Sequence, residues 1–275
     1  MTGSFPFDDF VTNLAATGTA ALAVMVATFT VALLKGKHSV VDVAWGLGFV
    51  AVVATSYLAS TGSGDDTRRL LVAVLTVVWG VRLALYIGAR NWGKPEDPRY
   101  DELLSRSPGN RTARAFLLIY VTQGVVLWLI SLPVQVASFE SAGPNWATIL
   151  GVAVWAVGFG FESVGDWQLA RFERRRASGA ERSQVMDRGL WRYTRHPNYF
   201  GDACVWWGLF LIACGHWMGL VTIVSPLLMN YLLVKKTGKK LLEKQLSRTR
   251  HGYVDYVART SGFFPLPRKR TGERD

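Results

Sequence analysis

The sequence predicts an all-α integral membrane protein of about seven transmembrane helices, and three observations predict it. Half of the residues are hydrophobic and only 19% are charged, a mix too apolar for a soluble domain of this length. The apolar residues gather in runs near the roughly 20 residues a helix needs to cross a bilayer. The lysines and arginines collect between alternate runs.

The chain opens on MTGSFPFDDF, which is acidic where a secretory signal would be basic, so the first run is expected to persist as a membrane helix. The seven spans are expected near 10–34, 39–60, 70–89, 115–137, 146–168, 198–214 and 217–235. The sixth is the shortest and opens behind a proline. Lys35 and Lys37 follow the first span. Six basic residues occupy 90–114, eight occupy 171–195 and twelve lie in the tail from Lys235, so these segments hold 28 of the 31. The other side carries only Arg68 and Arg69, and Arg82 lies within a helix. Seven spans with this bias place the N-terminus outside and the C-terminus in the cytoplasm.

No repeat or Pro/Ser-rich linker divides the chain, so residues 1–275 read as one polytopic domain with a cytoplasmic, amphipathic tail over 236–275. The net charge of +11 does not point to nucleic acid, because the basic residues sit in loops between apolar spans and form no basic face of a soluble fold. The two cysteines, Cys204 and Cys214, share one apolar segment, and the four histidines form no close ligand pair, which argues against a disulfide framework and a metal site. Gly46-Leu-Gly48-Phe-Val-Ala51 fits a loose dinucleotide pattern, but it lies inside a span with no βαβ unit around it and reads as close helix packing.

Ionisable residues within membrane spans are costly and mark function. Here they are Asp42, Arg82, Glu162, Asp166 and Asp202, all toward the cytoplasmic ends of their spans, which suggests one polar cavity opening on that side. Glu162 and Asp166 are four residues apart and share a helix face, with Arg171 and Arg174 just beyond. Two such carboxylates call for hydroxyl, amide or arginine partners; ordinary charge pairing at a helix end is the plainer reading.

The densest polar stretch is Gly189-Leu-Trp-Arg-Tyr-Thr-Arg-His-Pro-Asn-Tyr-Phe-Gly-Asp202, running on to Trp206-Trp207. Pro197 suits the first turn of a helix, so the sixth span starts there, with free N–H groups beside Arg192 and Arg195: a phosphate site by its chemistry. Arg, Tyr and Trp also suit a headgroup anchor. In the tail, Tyr253, Tyr256 and Arg259 recur at helical spacing. They can fold back to stack on a planar ligand, or lie with the tail on the bilayer surface.

At these residues a resemblance emerges. GLWRYTRHPNYFGD, the tail YVDYVARTSGFFP, the Glu162/Asp166 pair, Val-Asp42-Val-Ala-Trp45-Gly and Ala-Arg90-Asn91-Trp-Gly-Lys-Pro-Glu-Asp-Pro-Arg-Tyr100 resemble the DUF1295 family of membrane proteins related to steroid 5α-reductases, over residues 38–267. The resemblance implies a seven-helix fold with NADPH bound from the cytoplasm, and it carries cofactor contacts onto Asn91, Asp166, Asn198 and Asp202. Asp202 stands where the reductases usually have glutamate. The catalytic glutamate and tyrosine of the steroid enzymes have their nearest equivalents in kind in Asp42 and Tyr86. Isoprenylcysteine carboxyl methyltransferases carry a similar Arg-His-Pro-x-Tyr-x-Gly, here Arg195, His196, Pro197, Tyr199 and Gly201, followed by a glutamate and a Tyr-x-x-Tyr tail, which Glu243 and Tyr253/Tyr256 match.

The expected function is therefore NADPH-dependent reduction of a polarised carbon–carbon double bond in a lipophilic substrate. Asp42 and Tyr86 are expected at the reacting group. Asn91, Glu162, Asp166, Arg171, Arg192, Arg195, His196, Asn198, Tyr199, Asp202, Trp206, Tyr253, Tyr256 and Arg259 are expected around the cofactor. S-adenosylmethionine-dependent methyl transfer is the alternative, disfavoured because that cofactor carries no phosphate for the eight basic residues of 171–195. A non-enzymatic lipid-binding protein is the third reading.

Overall fold

The computed structural model describes residues 5–105, 109–236, 243 and 246–269. The chain is 77% helix. Among the described residues the only β pairing is an isolated bridge between Thr194 and Ser261. Among the described residues six helical segments, not the expected seven, are long and apolar enough to cross a membrane; the expected sixth span forms a shorter, 17-residue helix. The fold is that of an all-α membrane protein.

Helix α1 covers Phe7–Lys35 and stops at Gly36, whose φ of 61° suits a residue without a Cβ. A 3-10 turn, His38–Val40, leads into α2, Val41–Ala59. Helix α3, Asp66–Asn91, is capped by Asp65, whose side chain accepts the Arg68 N–H at 2.8 Å. After α4, Pro98–Ser105, the fourth span is assembled from α5 (Arg111–Ala115), a π-helical turn (Phe116–Val121) and α6 (Thr122–Ile130).

Two expected spans prove to be broken, and proline is the reason both times. The 115–137 run ends at Ile130, and α7, Leu132–Phe139, starts anew around Pro133. Pro133 has no N–H to offer Leu129, four residues earlier. That carbonyl accepts the Ser225 hydroxyl at 2.7 Å instead. The 217–235 run divides into α10, Trp217–Val221, and α11, Val224–Tyr231, with Pro226 in the first turn of the second piece. Conversely, α8 runs from Trp146 to Ala177, nine residues past the expected end, and α9 occupies Pro197–Ala213. In the tail, α12 is Tyr253–Arg259.

The chain divides into two compact units. The first comprises Met1–Ile149 and Leu209–Ser225, the second Leu150–Gly208 and Pro226–Asp275.

In the first unit, α2 and α3 touch backbone to backbone. A Cβ on Gly46 would lie 2.1 Å from the Gly80 carbonyl oxygen, so the glycine pattern does serve close packing. Polar groups add to the packing: Thr17 Oγ1 donates to Gln135 Oε1 at 2.7 Å, and Trp128 Nε1 donates to Thr17 Oγ1 at 3.1 Å. Arg68 and Arg69, which the sequence presents as loop charges, are buried. Arg68 donates to the carbonyls of Ala142 (3.1 Å), Gly143 (2.8 Å) and Ile212 (2.5 Å) and to Thr148 Oγ1 (3.2 Å). Arg69 ties down the end of α2 through Tyr57 O, Ser60 Oγ and Thr61 Oγ1. An ammonium group cannot reproduce this planar fork. Arg68→Lys is therefore expected to destabilise the protein by about 2 kcal/mol, because it leaves buried carbonyls without donors. Thermal unfolding of the detergent-purified variant checks this, and an unchanged midpoint would refute it.

In the second unit, α8 and α9 meet along glycines spaced by seven. A Cβ on Gly158 would lie 2.5 Å from Gly201 O, and one on Gly208 would lie 2.6 Å from Gly151 O. A Cβ on Gly201 would lie 2.5 Å from the Glu162 nitrogen. This seam draws the start of α9 against the Glu162–Asp166 turn of α8.

Candidate functional site

The five intramembrane ionisable residues fall into both units: Asp42 and Arg82 in the first, Glu162, Asp166 and Asp202 in the second.

In the first unit, Asp42 sits in the first turn of α2, where a carboxylate favours the helix dipole. Its Oδ1 accepts the Tyr100 hydroxyl at 2.6 Å, and its Oδ2 lies 3.7 Å from the Arg99 guanidinium. Arg99 is in turn fixed by Asp97 at 2.8 Å. The loop that delivers these groups is prolyl and tightly hydrogen-bonded. Gly93 takes a φ of 69°, Pro98 opens α4, and Glu96 accepts the backbone N–H groups of His38 and Ser39, the latter at 3.0 Å. Glu96 thereby joins the 92–100 loop to the 3-10 turn ahead of Asp42. Tyr120, fully buried, completes the surroundings through a 3.1 Å contact of its hydroxyl with His38 Nδ1, and Trp45 Nε1 donates to Gln123 Oε1.

The electrostatics of this loop follow from burial and hydrogen bonding. Burial, together with the negative charge and hydrogen bond of Asp42, pushes the Tyr100 phenol well above its usual value, so it keeps its proton throughout the physiological range. Burial works against the Glu96 carboxylate, but the backbone N–H groups it accepts outweigh that and hold its pKa below the usual value.

The tyrosine bonded to Asp42 is thus Tyr100, which the sequence did not single out for chemistry. Tyr86 packs under two guanidinium groups, Arg82 at 5.4 Å and Arg90 at 5.7 Å from its ring centre. Asn91 is the last residue of α3, and its carbonyl accepts the Lys94 N–H at 3.2 Å. The one signal for Tyr100 was its place at the end of the Asn91–Tyr100 stretch that carried the family resemblance. Nothing in its spacing from Asp42, 58 residues away, announced the contact.

In the second unit, Glu162 and Asp166 are buried, and Asp166 Oδ1 accepts Asn198 Nδ2 at 3.2 Å. Asn198 and Asp202 share a face of α9, four residues apart. Trp206, one turn further, is fully buried. The buried hydroxyl of Ser163, beside Glu162, has no hydrogen-bond partner among the described residues. Buried carboxylates and a carboxamide suit a ligand rich in hydroxyl and amide groups.

The Trp191–Tyr199 segment is held by the tail, which does fold back. Arg195 donates to Glu243 Oε1 at 2.8 Å, to Val257 O at 3.1 Å and to Thr260 O. His196 Nε2 meets the same Glu243 oxygen at 3.0 Å and stacks on Tyr199 with ring centres 5.1 Å apart. Tyr256 donates its hydroxyl to Trp191 O at 2.6 Å, and Trp191 Nε1 donates to Gly165 O at 3.0 Å. Burial opposes the charge on Glu243, but the hydrogen bonds from His196 and Arg195 bring its pKa down to about 2.

These contacts engage several of the expected cofactor residues with other partners. Arg195 is a strut that holds the tail, with its guanidinium turned to Glu243 and to carbonyls and not offered to a phosphate. Tyr256 is 2% exposed and closed to a stacking ligand. Arg259 lies 3.6 Å from Asp187, which also receives Arg268 at 3.1 Å. Tyr253 and His196 line a cavity of about 70 Å³ with Trp191, Arg195 and Leu246, far below the roughly 300 Å³ of a typical ligand pocket. Arg192 and Arg171 are exposed and remain open to a ligand.

No curated protein and no solved structure matches this chain. A family model does, over residues 28–260, and that span takes in the Asp42–Tyr100 pair, the Glu162–Asp166 turn, the Trp191–Asp202 segment and α12. The chain belongs to the family described as protein of unknown function, DUF1295.

Proposed function

We propose that the protein is a membrane-embedded NADPH-dependent reductase of a polarised carbon–carbon double bond in a lipophilic steroid, isoprenoid or lipid substrate, with its cofactor side in the cytoplasm. The observation that carries this reading is the Asp42–Tyr100 pair: a phenol held neutral by burial, bonded at 2.6 Å to a carboxylate in a membrane helix, with Arg99 beside it. The phenol's single O–H is given to Asp42 here; turned to a substrate carbonyl oxygen instead, it would stabilise that oxygen as enolate charge develops. Asp42 and Arg99 orient the ring, and Glu96 fixes the loop that carries it.

NADPH, when bound, supplies the hydride. Within the second unit, Asp166 and Asn198 would suit a dinucleotide's hydroxyl groups and Arg192 its phosphate. The excess of Lys and Arg between 90 and 114, between 171 and 195 and in the tail supports the cytoplasmic placement.

The test is thermal unfolding of the detergent-purified chain with NADPH, NADH or S-adenosylmethionine. A ligand at 100 times its dissociation constant adds about 2.7 kcal/mol to the native state. A rise in midpoint with NADPH and none with S-adenosylmethionine is expected. A rise with S-adenosylmethionine alone would replace hydride transfer with methyl transfer, and no rise with any of the three would leave a lipid-binding protein without a reaction.

A further inference from the structure

We propose that an open groove of about 340 Å³ at the C-terminal end of α8 binds the phosphate group of an anionic phospholipid. Its walls include Trp167, Arg171, Phe172, Arg175, Met186 and Arg188. The position of the groove relative to the bilayer follows from α8 itself. Trp146 and Trp167 are the exposed tryptophans of this helix, at 76% and 54%. They are 21 residues apart. At 1.5 Å per residue that is about 32 Å, close to the ~30 Å thickness of the hydrocarbon layer. Indole rings prefer the two interfaces, so Trp167 marks one of them. Arg171 and Arg175, one and two turns beyond it, stand at headgroup depth.

The chemistry of the groove is one-sided. The Arg171 guanidinium lies 5.5 Å over the Trp167 ring. Among the described residues, no carboxylate lies within ion-pair distance of Arg171 or Arg175, whose side chains share a helix face. Arg188 is paired with Glu181 at 3.3 Å and still 69% exposed. Three guanidinium groups therefore face a single carboxylate, which is already engaged. That balance fits a phosphate with net negative charge; a zwitterionic headgroup would need a spare carboxylate for its ammonium.

The second wall is built, not incidental. Gly189 adopts a φ of 58°, a Cβ there would strike the Gln168 side chain at 2.4 Å, and Gln168 Oε1 accepts the Leu190 N–H at 3.0 Å. The loop is thereby held across α8, and Met186 and Phe172 give the groove an apolar floor for the glycerol end of a lipid. This assignment is independent of the reductase reading.

Native mass spectrometry of the full chain, released from detergent containing equal amounts of phosphatidylglycerol and phosphatidylcholine, tests it. The wild type is expected to retain phosphatidylglycerol preferentially by at least about fivefold, given roughly 1 kcal/mol per arginine at an anionic surface. The double variant Arg171→Gln/Arg175→Gln should retain the two lipids equally, while Arg174→Gln, outside the groove, should keep the preference. Equal retention by the wild type, or an undiminished preference in the double variant, would overturn the proposal. Displacement of phosphatidylglycerol from the wild type by inorganic phosphate or NADPH would overturn it too, by assigning the groove to a soluble phosphate. This competition arm also decides the matter should the double variant not fold.

Discussion

Tyr100→Phe is expected to lower kcat for NADPH-dependent reduction of an enone by about 100- to 1,000-fold, the usual cost of removing one donor to a developing oxyanion. The substitution removes one oxygen from a buried ring and leaves Asp42 facing the Arg99 guanidinium at 3.7 Å, so folding should survive. Tyr86→Phe is expected to leave the rate within about threefold, since that ring is packed against Arg82 and Arg90 and an apolar ring packs equally well. Steady-state kinetics on the two variants separate the candidates, and the reverse ranking would return the role to Tyr86. The pH dependence gives a second readout. Because burial and Asp42 raise the Tyr100 pKa, the phenol keeps its proton at and above pH 10, where an ordinary tyrosine would lose it. No alkaline limb attributable to tyrosine ionisation is expected in the rate up to that pH.

The second large effect concerns the tail. Arg195→Leu should destabilise the second unit by about 2 kcal/mol, because it takes one of two partners from the half-buried Glu243 carboxylate and leaves the Val257 and Thr260 carbonyls without a donor. Limited proteolysis should then cut within 246–269 much faster than in the wild type. The same pair gives acid sensitivity of definite sign. The Glu243 carboxyl titrates near 2 in the folded protein and near 4.5 in an unfolded chain, so its contribution is complete above about pH 4.5 and is lost as the pH falls toward 2. Pepsin digestion across that window should release the tail progressively in the wild type. In Glu243→Gln the tail should be released already at the upper end, with little further change; identical profiles would refute the role of the pair.

Both effects arise at contacts that local patterns reach only in part. The Arg-His-Pro-Asn-Tyr run stood out as a charged, aromatic entry to a helix, and a proline in the first turn did start α9. What the pattern could not supply was the direction of each side chain. Arg195 beside free N–H groups reads as a phosphate ligand until Glu243 and the carbonyls at 257 and 260 are brought beside it by the folded tail. Asp42 is comparable. An aspartate in an apolar run is conspicuous because its charge is costly there, but the identity of its partner depends on a loop closing over 58 residues.

By itself, the sequence determined the class of the protein, the approximate places of its apolar spans and the close approach of helices at glycine. These are set by transfer free energy and by the absence of a Cβ, both properties of local stretches of chain. It also exposed the intramembrane carboxylates, whose burial costs too much to be accidental. The tertiary structure alone decided that Pro133 breaks the fourth span while Ser225 satisfies the carbonyl it orphans, that Arg68 and Arg69 are buried clamps and not loop charges, and that Tyr100 is bonded to Asp42. Each of these depends on hydrogen bonds between residues far apart in the chain, and a hydrogen bond is fixed by direction and distance in space, which composition and period do not encode.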